Sequence, residues 1–555
     1  MKFKRMLSSL LMAGVALSCV GCGGATETSG DANTAAETIE VADTEEAVHL
    51  NLAESWGFET FYPIITPENA ASGYGITYYL TSLYDTLVTY DANNELVGSL
   101  AEEWSMSDDG LVYTFKIKQG VKFSDGSDLT ADDVAKSLVG AGVNLGQYNG
   151  GYGKLSTIIK DAVAVDDYTV ELTLTQAYYG TLRELCLPNP FAIVSSEQLG
   201  EDLKAKDTFV TATYGSGPYM YAGDGDGQSY TFVKNPHYWG EEPEVDSFTI
   251  NVVTDNDAKL LALKNGEVDF LHGITNISAE SYEEMKMTEG FTADKSDNTM
   301  HTYYVGYNLN SDIFGDQTVR EAVALALDKD NVVDTIFGDI HEKATTFFVR
   351  DLPYCDVDQK TYTYDLEKAN ALLDEAGYKD TDGDGIREKN GVKMTTDFLY
   401  QTGSSSDDDI VLYICDALNK IGLEVTANSA PMMDWYAMIT SNNYGLTLFN
   451  TQGGYYDPIN VVSSFDSNGS MDPILSQVGA FLPNGAETIT ALNAATDEAV
   501  IQESYHTILT SMADQCLNLP MYYTHQIALY NDRVADYEFA QDPNFLSVQN
   551  IQINE

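Results

Sequence analysis

Two segments of this chain alternate apolar and polar side chains with the period of a β-strand. Residues 111–117 and 168–174 place an apolar side chain at every second position, and the positions between them carry Thr, Lys or Glu, with one Val. This period-two pattern is typical of a strand that buries one face and exposes the other. We therefore predict two half-buried strands in the first third of the chain.

Other segments carry the period of a helix. Residues 365–377 begin at an aspartate, repeat apolar residues every three or four positions and end at a glycine, and residues 410–422 show the same design. Such spacing predicts amphipathic helices that are closed by glycine. Thr130 is predicted to cap a further helix. Since both periods mix over the whole length without an internal repeat, we predict an α/β fold.

The amino terminus has the pattern of a secretory leader. Residues 1–5 are basic and residues 6–20 are apolar, which is shorter than the roughly 20 residues that a membrane-spanning helix needs. We interpret residues 1–21 as a signal peptide. It ends in a segment that resembles a bacterial lipobox, and we favour Cys22 over Cys19 as the lipidated residue. The pair also forms a C-x-x-C motif, whose redox or zinc interpretation is disfavoured because the motif lies at the edge of the removed segment.

Composition separates a tether from a folded body. Residues 22–47 contain Gly, Ala, Thr, Asp and Glu with almost no large apolar residue, so we predict a flexible acidic tether. The body starts near residue 48, and with 44% hydrophobic residues it can form large cores. We predict a lipid-anchored protein on the outer face of the cytoplasmic membrane.

The net charge excludes two classes of partner. The chain has 85 acidic against 29 basic residues, a formal charge of −56, and it contains six arginines in total. Because nucleic-acid binders neutralise phosphates with Lys and Arg, a nucleic-acid partner is excluded. Direct adsorption to anionic lipid is disfavoured for the same reason.

A search for catalytic motifs finds none. The seven histidines never fall within four residues of one another, so a local zinc pair is absent from the sequence, as are a G-x-S-x-G elbow and a complete P-loop. We therefore predict no enzyme activity and no resident cofactor. Four cysteines remain in the body, and buried free thiols are favoured over one or two disulfides: Cys186, Cys355, Cys415 and Cys516.

One acidic loop begins like a calcium-binding EF-hand. Asp380, Asp382 and Asp384 occupy the first, third and fifth positions, but Gly391 stands where the bidentate glutamate belongs. Residues 391–400 also have the pattern of a strand instead of the second helix. We therefore favour an acidic turn between helix and strand over an adventitious Ca²⁺ site.

A series of ordered motifs resembles one protein family. The motifs are LAEEW (100–104), DDGLVYTF (108–115), GVKFSDG (120–126), TADDV (130–134), GSGPY (215–219), NPHYWG (235–240), LKNGEVD (263–269), VREAV (319–323) and EKANALL (367–373). Together they resemble the family 5 extracellular solute-binding proteins of ABC importers, the group that binds dipeptides, oligopeptides and nickel. The resemblance covers about residues 48–530. Arg320 lies in a framework motif and is predicted to be structural.

The resemblance implies an architecture and its partners. Such proteins have a two-lobe, periplasmic-binding-protein-like α/β fold of the large class, with an extra subdomain and a hinge between the lobes. We expect lobe I at residues 48–272 plus 520–555 and lobe II at residues 273–519. The implied function is a monomeric receptor that delivers its ligand to ABC permease subunits and their ATPases. A surface enzyme or adhesin that reuses the same two-lobe shell is the alternative.

Within the family, the likeness is greatest to the nickel-binding branch. The segments that carry it are AYY (177–179), LCLPNPF (185–191), IREKNG (386–391) and YYDP (455–458). Peptide binders carry an extra aspartate in the loop before Asp-Pro, where this chain has Gly454. Nickel-chelate binders present Trp and Tyr there; Tyr456 matches the Tyr, while Gln452 replaces the Trp. The transported ligand is therefore predicted to be a peptide or a nickel chelate, with a peptide-derived signal or an opine-like conjugate as a third possibility.

The metal ligands are unknown, because no histidine lies between His341 and His506. The resemblance implies ligand contacts for Tyr456, Tyr455, Gln452, Gly454, Trp56, Phe58 and Tyr62. Trp435, beside two methionines, is added as an aromatic candidate for ligand contact. For Tyr455 and Tyr456, packing at the lobe interface is the alternative, and for Trp435 it is the helix core. Asp457 is predicted to cap the following turn.

Overall fold

The computed structural model describes residues 47–66, 74–91, 95–151, 153–451, 458–465, 474–540 and 545–554. Its strands are β1 His49–Glu54, β2 Val88–Tyr90, β3 Leu96–Gly98, β4 Ala101–Met106, β5 Val112–Ile117, β6 Ile159–Asp166, β7 Thr169–Leu174, β8 Tyr219–Tyr221, β9 Ser229–Lys234, β10 Ser247–Val252, β11 Phe270–His272, β12 Phe291–Tyr307, β13 Glu342–Lys343, β14 Glu388–Lys389, β15 Val392–Lys393, β16 Thr395–Gln401, β17 Glu424–Ala430, β18 Leu446–Asn450, β19 Asn518–Asn531, β20 Val534–Tyr537 and β21 Ile551–Ile553.

The α-helices are interspersed among these strands. They are α1 Leu80–Leu83, α2 Ala131–Leu145, α3 Leu155–Ile158, α4 Thr181–Glu184, α5 Pro188–Phe191, α6 Asn256–Lys264, α7 Ala279–Lys286, α8 Gln317–Ala326, α9 Lys329–Val332, α10 Leu366–Glu375, α11 Ser405–Asn419, α12 Met432–Thr440, α13 Ile459–Ser463, α14 Leu475–Phe481, α15 Gly485–Asn493 and α16 Glu498–Gln515. In the part of the chain that the structure describes, none of these helices has the length and apolarity needed to cross a membrane.

One large mixed sheet runs through the body in the order β17-β16-β18-β12-β19-β11-β1-β10-β9-β8, and β13 pairs with β19 beside it. Strands β1, β10 and β11 are parallel to one another, as are β16, β17 and β18. A separate antiparallel sheet has the order β4-β5-β7-β6. The mixture of parallel strands with helices between them confirms the predicted α/β class.

Two strands are much longer than the others and join the two halves of the large sheet. β12 and β19 pair antiparallel from Phe291 opposite Asn531 to Gly306 opposite Asn518, with irregular register between Lys295 and Thr302. At one end β19 also pairs with β11, and at the other end β12 also pairs with β18. The connection between the halves is therefore a two-stranded antiparallel ribbon.

Each half has its own hydrophobic core. The first core draws on residues from 50 to 270 and from 528 to 551, and we call this half lobe I. The second draws on Ala53 and on residues from 260 to 529, and we call that half lobe II. Burying apolar surface contributes about 25 cal/mol per Å², so each half is stabilised by a core of its own.

The predicted local elements are confirmed. The strand patterns correspond to β5 and β7, which pair with each other. Asp365 caps α10 by accepting a hydrogen bond from the backbone N–H of Lys368 at 2.9 Å. Thr130 forms a capping box with Asp133 at the start of α2. The four body cysteines are buried free thiols.

Arg320 is a buried structural residue, as its motif predicted. Its guanidinium donates to the backbone carbonyls of Phe314 (2.7 Å), Gly315 (3.2 Å), Gln515 (2.7 Å) and Cys516 (3.0 Å). One side chain thus joins the loop before α8 to the end of α16. The planar fork of arginine is required for this arrangement, because a lysine ammonium cannot reach all of these acceptors.

We expect Arg320→Lys to lower the free energy of unfolding by about 2–4 kcal/mol, because buried carbonyls lose charged donors. Urea unfolding followed by circular dichroism measures the change. Arg350→Lys is the matched control, because Arg350 pairs with Asp356 and Asp358 at the surface and should change stability by less than about 1 kcal/mol. Equal losses in the two variants would contradict a structural role that is specific to Arg320.

The lobes also touch outside the ribbon. We call this second contact the latch; it joins residues 178–184 of lobe I to lobe II. The Tyr178 hydroxyl lies 2.5 Å from Glu184 Oε1 and 3.1 Å from Ser463 Oγ of α13. The Tyr179 hydroxyl lies 3.1 Å from that of Tyr505 on α16, and the Tyr179 N–H donates to the Asn493 carbonyl at 3.2 Å. The latch therefore depends on hydroxyl and backbone hydrogen bonds that cross between the lobes.

Glu184 anchors the latch on the lobe I side. It is fully buried, and its carboxylate accepts hydrogen bonds from the backbone N–H groups of Lys154 at 2.9 Å and Leu155 at 2.6 Å. Burial raises the pKa of Glu184 to about 7, against an ordinary value of 4.5, although these donors and the Tyr178 hydroxyl favour the ionised form. The folded state therefore binds this proton more tightly than the unfolded chain does.

A raised carboxyl pKa determines the direction in which stability changes with pH. The contribution of Glu184 is fully present below about pH 4.5 and declines as the pH rises to about 7. The free energy of unfolding of wild type, measured in urea, should fall as the pH rises from 5 to 7.5. For Glu184→Gln, which cannot ionise, we expect this fall to be smaller by about 1–3 kcal/mol. Glu201→Gln, at an exposed position, should follow the wild-type curve. Parallel curves for wild type and Glu184→Gln would refute the expectation.

Candidate ligand-binding cleft

The carboxyl ends of the parallel strands in the two lobes face each other. β11 and β1 run toward lobe II, because β11 is antiparallel to β19 and parallel to β1. β18 and β16 run toward lobe I, because β18 is antiparallel to β12 and parallel to β16. Ligands of open α/β sheets bind beyond the carboxyl ends of the strands, so the space between the lobes is the candidate cleft.

The ribbon forms the floor of this cleft. On the lobe I side the last ladder pair is His272 with Ala528, and on the lobe II side Asn450 pairs with Tyr303. On β19 these two edges correspond to Ala528 and Tyr522, which are six positions apart, or about 20 Å at about 3.3 Å per residue. This width accommodates a small ligand that touches both lobes.

On the lobe I wall, a buried polar network holds the end of β1. Glu54 accepts hydrogen bonds from the Ser55 N–H at 2.7 Å and from Asn276 Nδ2 at 3.1 Å. Lys259 of α6 donates to Asn276 Oδ1 at 2.6 Å and to Asn256 Oδ1 at 3.0 Å. Burial raises the pKa of Glu54 to about 7 and lowers the pKa of Lys259 to about 8. The network fixes the chain immediately before Trp56.

The three aromatic residues predicted near this wall have different surroundings. Trp56 is 40% exposed and meets the ring of Tyr74 edge-on at 5.8 Å. Phe58 is buried against Tyr230 and other rings of lobe I, and Tyr62 is buried against Phe209. The structure thus leaves Trp56 accessible and places Phe58 and Tyr62 in the core beneath it.

The lobe II wall is built at the ends of β12, β18 and β19. The rings of Tyr303 and Tyr522 are stacked with their centres 4.8 Å apart, and the carboxyl group of Asp407 at the start of α11 faces both. Burial raises the pKa of Asp407 to about 6. Burial and the neighbouring Asp407 carboxyl group raise the pKa of Tyr303 to about 12, although the Asn450 side chain favours the ionised phenol.

Trp435 was predicted as a ligand contact with the helix core as the alternative, and it lies inside lobe II. It is 3% exposed, stacks on Phe449 at 5.1 Å and donates through Nε1 to Thr447 Oγ1 at 3.1 Å. Its neighbours Met432 and Met433 at the start of α12 are exposed. The remaining predicted site residues lie outside the described residues: Gln452, Gly454, Tyr455, Tyr456, Asp457 and Cys22.

Histidines at the floor of the cleft were not singled out from the sequence. His525 Nδ1 lies 2.7 Å from the Ser296 carbonyl oxygen, and the His525 N–H donates to His341 Nδ1 at 3.3 Å. His301 Nε2 is buried and has no hydrogen-bond partner. His525 is 184 positions from His341 and 229 positions from Ser296, and a lone histidine carries no local signal, so only the strand pairing reveals these contacts.

The arginines among the described residues contact other groups: Arg183 the ring of Tyr354, Arg320 backbone carbonyls, Arg350 Asp356 and Asp358, Arg387 Asp374, and Arg533 Asp269. The cleft groups named above therefore include no guanidinium. Arginine is the usual bidentate partner of carboxylates and phosphates, so the described walls lack the side chain that most often binds an anion.

The acidic loop lies between α10 and β14, as the favoured interpretation predicted. Asp380 accepts hydrogen bonds from the N–H groups of Gly383 at 2.6 Å and Gly385 at 2.9 Å. Lys393 pairs with Asp382 at 2.8 Å and with Asp384. Within the described residues this is the group of carboxylates that could hold a metal, and an ammonium already neutralises two of the three.

Comparison with known proteins identifies the family. Residues 95–473 match the family model of the bacterial extracellular solute-binding proteins, family 5. The nickel-binding periplasmic protein of Escherichia coli K12 is 27% identical over 461 residues, covering 82% of this chain and 87% of the relative. The oligopeptide-binding protein AppA of Bacillus subtilis is 30% identical over 372 residues, covering 65% of each chain.

The fold agrees with the sequence comparison. The crystal structure of NikA from Brucella suis in complex with Fe(III)-EDTA superposes with a TM-score of 0.83 at 25% identity, covering 91% of this chain and all of that one. That protein has the two-lobe fold that the strand topology describes here. The relatives are substrate-binding proteins of transport systems and not enzymes. This chain therefore belongs to the family 5 bacterial extracellular solute-binding proteins.

Proposed function

We propose that this protein is the lipid-anchored, monomeric receptor of an ABC importer, which captures a peptide or a nickel chelate between its lobes and delivers it to the membrane permease. The observation that carries the proposal is the cleft between opposed strand ends, bridged by the β12–β19 ribbon. The relatives named for nickel and for oligopeptides supply the two ligand classes. We assign lobe I to residues 48–272 plus 520–555 and lobe II to residues 273–519, although Met521, Tyr522 and Ile527 of β19 pack into the core of lobe II.

Binding by such a receptor requires differential affinity for two states. A ligand that touches both lobes stabilises the closed state over the open one by the contacts it makes only there. The latch supplies hydrogen bonds that cross between the lobes, and we assign these bonds to the closed state. Irregular pairing between Lys295 and Thr302 gives the ribbon a segment in which it can bend. Closure therefore needs neither covalent chemistry nor a cofactor.

The choice between the two ligand classes can be made by thermal unfolding of the purified protein. A ligand present at 100 times its dissociation constant adds roughly 2.7 kcal/mol to the stability. We expect an upward shift of the melting temperature either with di- to pentapeptides or with Ni²⁺ plus free histidine. Absence of a shift with every ligand of both classes would contradict the proposed function.

The latch predicts a specific loss of affinity. Tyr178→Phe removes the hydroxyl that lies between Glu184 and Ser463, so the closed state loses about 0.5–1.5 kcal/mol. We expect about two- to tenfold weaker binding of the stabilising ligand, measured by isothermal titration calorimetry. Tyr168→Phe, in the hairpin between β6 and β7, is the control and should bind as wild type. An unchanged affinity in Tyr178→Phe would show that the latch does not contribute to closure.

The lipid anchor has an independent test. Two acyl chains are required for stable membrane attachment, and Cys22 is the proposed site. We expect Cys22→Ala to abolish incorporation of an alkyne-labelled fatty acid and to release the protein from the membrane fraction. Cys19→Ala should still be labelled. Labelling that is lost in Cys19→Ala and kept in Cys22→Ala would instead assign the anchor to Cys19.

A further inference from the structure

Two buried polar atoms at the lobe II side of the cleft have no hydrogen-bond partner. They are Nε2 of His301 and Oδ1 of Asn450. Leaving a buried donor or acceptor unsatisfied costs about 1–3 kcal/mol, and most buried polar groups in folded proteins are paired. Two such atoms at the end of one strand pair therefore call for an explanation.

Strand pairing places both residues on one face. Asn450 is the cross-strand partner of Tyr303, and His301 precedes Tyr303 by two positions. The alternation of burial supports a common face, because Thr302 and Tyr304 are fully buried while His301 and Tyr303 are partly exposed. The Thr302 N–H donates to Thr451 Oγ1 and the Thr451 N–H donates to the Thr302 carbonyl, both at 3.0 Å. These bonds fix the register, so His301 and Asn450 lie at diagonal positions of the β12–β18 pair, at a separation of roughly 7–8 Å that one ligand group can bridge.

His301 and Asn450, which we call the corner of the cleft, present hydrogen-bond acceptors. Burial lowers the pKa of His301 to about 4, so the ring is neutral at physiological pH and one ring nitrogen carries a free lone pair. The side-chain carbonyl oxygen of Asn450 is buried and has no hydrogen-bond partner among the described residues, so it is available as an acceptor. The carboxyl group of Asp407 faces the same tyrosine. The corner thus offers nitrogen and oxygen acceptors and a carboxyl group.

Nearby cations are engaged elsewhere. Lys295 at the start of the floor donates to the Asp339 carbonyl, and Lys329 donates to the carbonyls of Ala344 at 2.7 Å and Pro520 at 2.9 Å. Lys259 belongs to the Glu54 network of lobe I. Within the part of the chain that the structure describes, these two acceptors therefore lack a hydrogen-bond donor, and they match a ligand group that is itself positively charged.

We propose that His301 Nε2 and Asn450 Oδ1 form a subsite that binds the cationic centre of the transported ligand. This inference rests on the proposed function and names the part of the ligand that lobe II recognises. A positive centre has two sources among the proposed ligands, the metal ion of a chelate and the terminal ammonium of a peptide. An ammonium offers N–H donors to both acceptors, and a metal ion accepts the lone pair of a neutral imidazole.

The test uses His301→Leu in the purified protein, with His506→Leu as the matched control at an exposed position of α16. We expect His301→Leu to weaken binding of the stabilising ligand at least tenfold in calorimetry and His506→Leu to leave it unchanged. Because the leucine removes an unpaired polar atom, the urea midpoint of ligand-free His301→Leu should equal or exceed that of wild type. A gain or retention of affinity in Asn450→Asp, which adds negative charge at the second acceptor, also supports the subsite.

Two probes distinguish the sources of the charge. With Ni²⁺ plus free histidine, a metal source predicts that His301→Leu changes the visible absorption spectrum of bound nickel. With a peptide, an ammonium source predicts that the N-acetylated peptide fails to bind wild type. Binding that His301→Leu leaves within twofold of wild type overturns the subsite alone. Absence of binding by wild type to both probes overturns the proposed function and the subsite with it.

Discussion

The antiparallel pairing of β12 with β19 is the interaction on which the rest of the structure depends. These strands carry backbone hydrogen bonds from Phe291 opposite Asn531 to Gly306 opposite Asn518, and each lobe builds its sheet outward from one end of them. The direction of the two strands determines that the parallel strands of both lobes end at the same gap. A cleft with two walls and a floor follows from strand polarity before any side chain is considered.

The same ribbon limits how the lobes move. Backbone ladders resist stretching, whereas a segment with irregular register can change its dihedral angles without losing a full set of hydrogen bonds. That segment lies between Lys295 and Thr302, at the floor of the cleft. In the proposed function, the residues that bend and the residues that line the ligand are therefore the same ones. A ligand on the floor would then act directly on the hinge and couple occupancy to closure.

How much of this architecture the sequence predicts depends on how far apart the interacting residues lie along the chain. The cap at Asp365 and the strands β5 and β7 were predicted correctly, because each depends on neighbours within a few positions. The exposure of Trp56 beside buried Phe58 and Tyr62 was not predicted, since it depends on rings such as Tyr230 and Phe209 from distant segments. The family resemblance supplied the two-lobe topology, which periodicity alone does not specify.

Ligand selection must come from contacts inside the closed cleft and not from the overall charge. A formal charge of −56 attracts cations, but at physiological salt the Debye length is about 8 Å, less than half of the cleft span of about 20 Å. The surface field therefore raises the encounter rate without ordering a ligand within the gap. Once the lobes close and exclude water, buried acceptors such as Asn450 Oδ1 gain electrostatic strength and an unsuitable ligand leaves them unpaired. In the proposed function, discrimination is then a property of the closed state and of the contacts made only there.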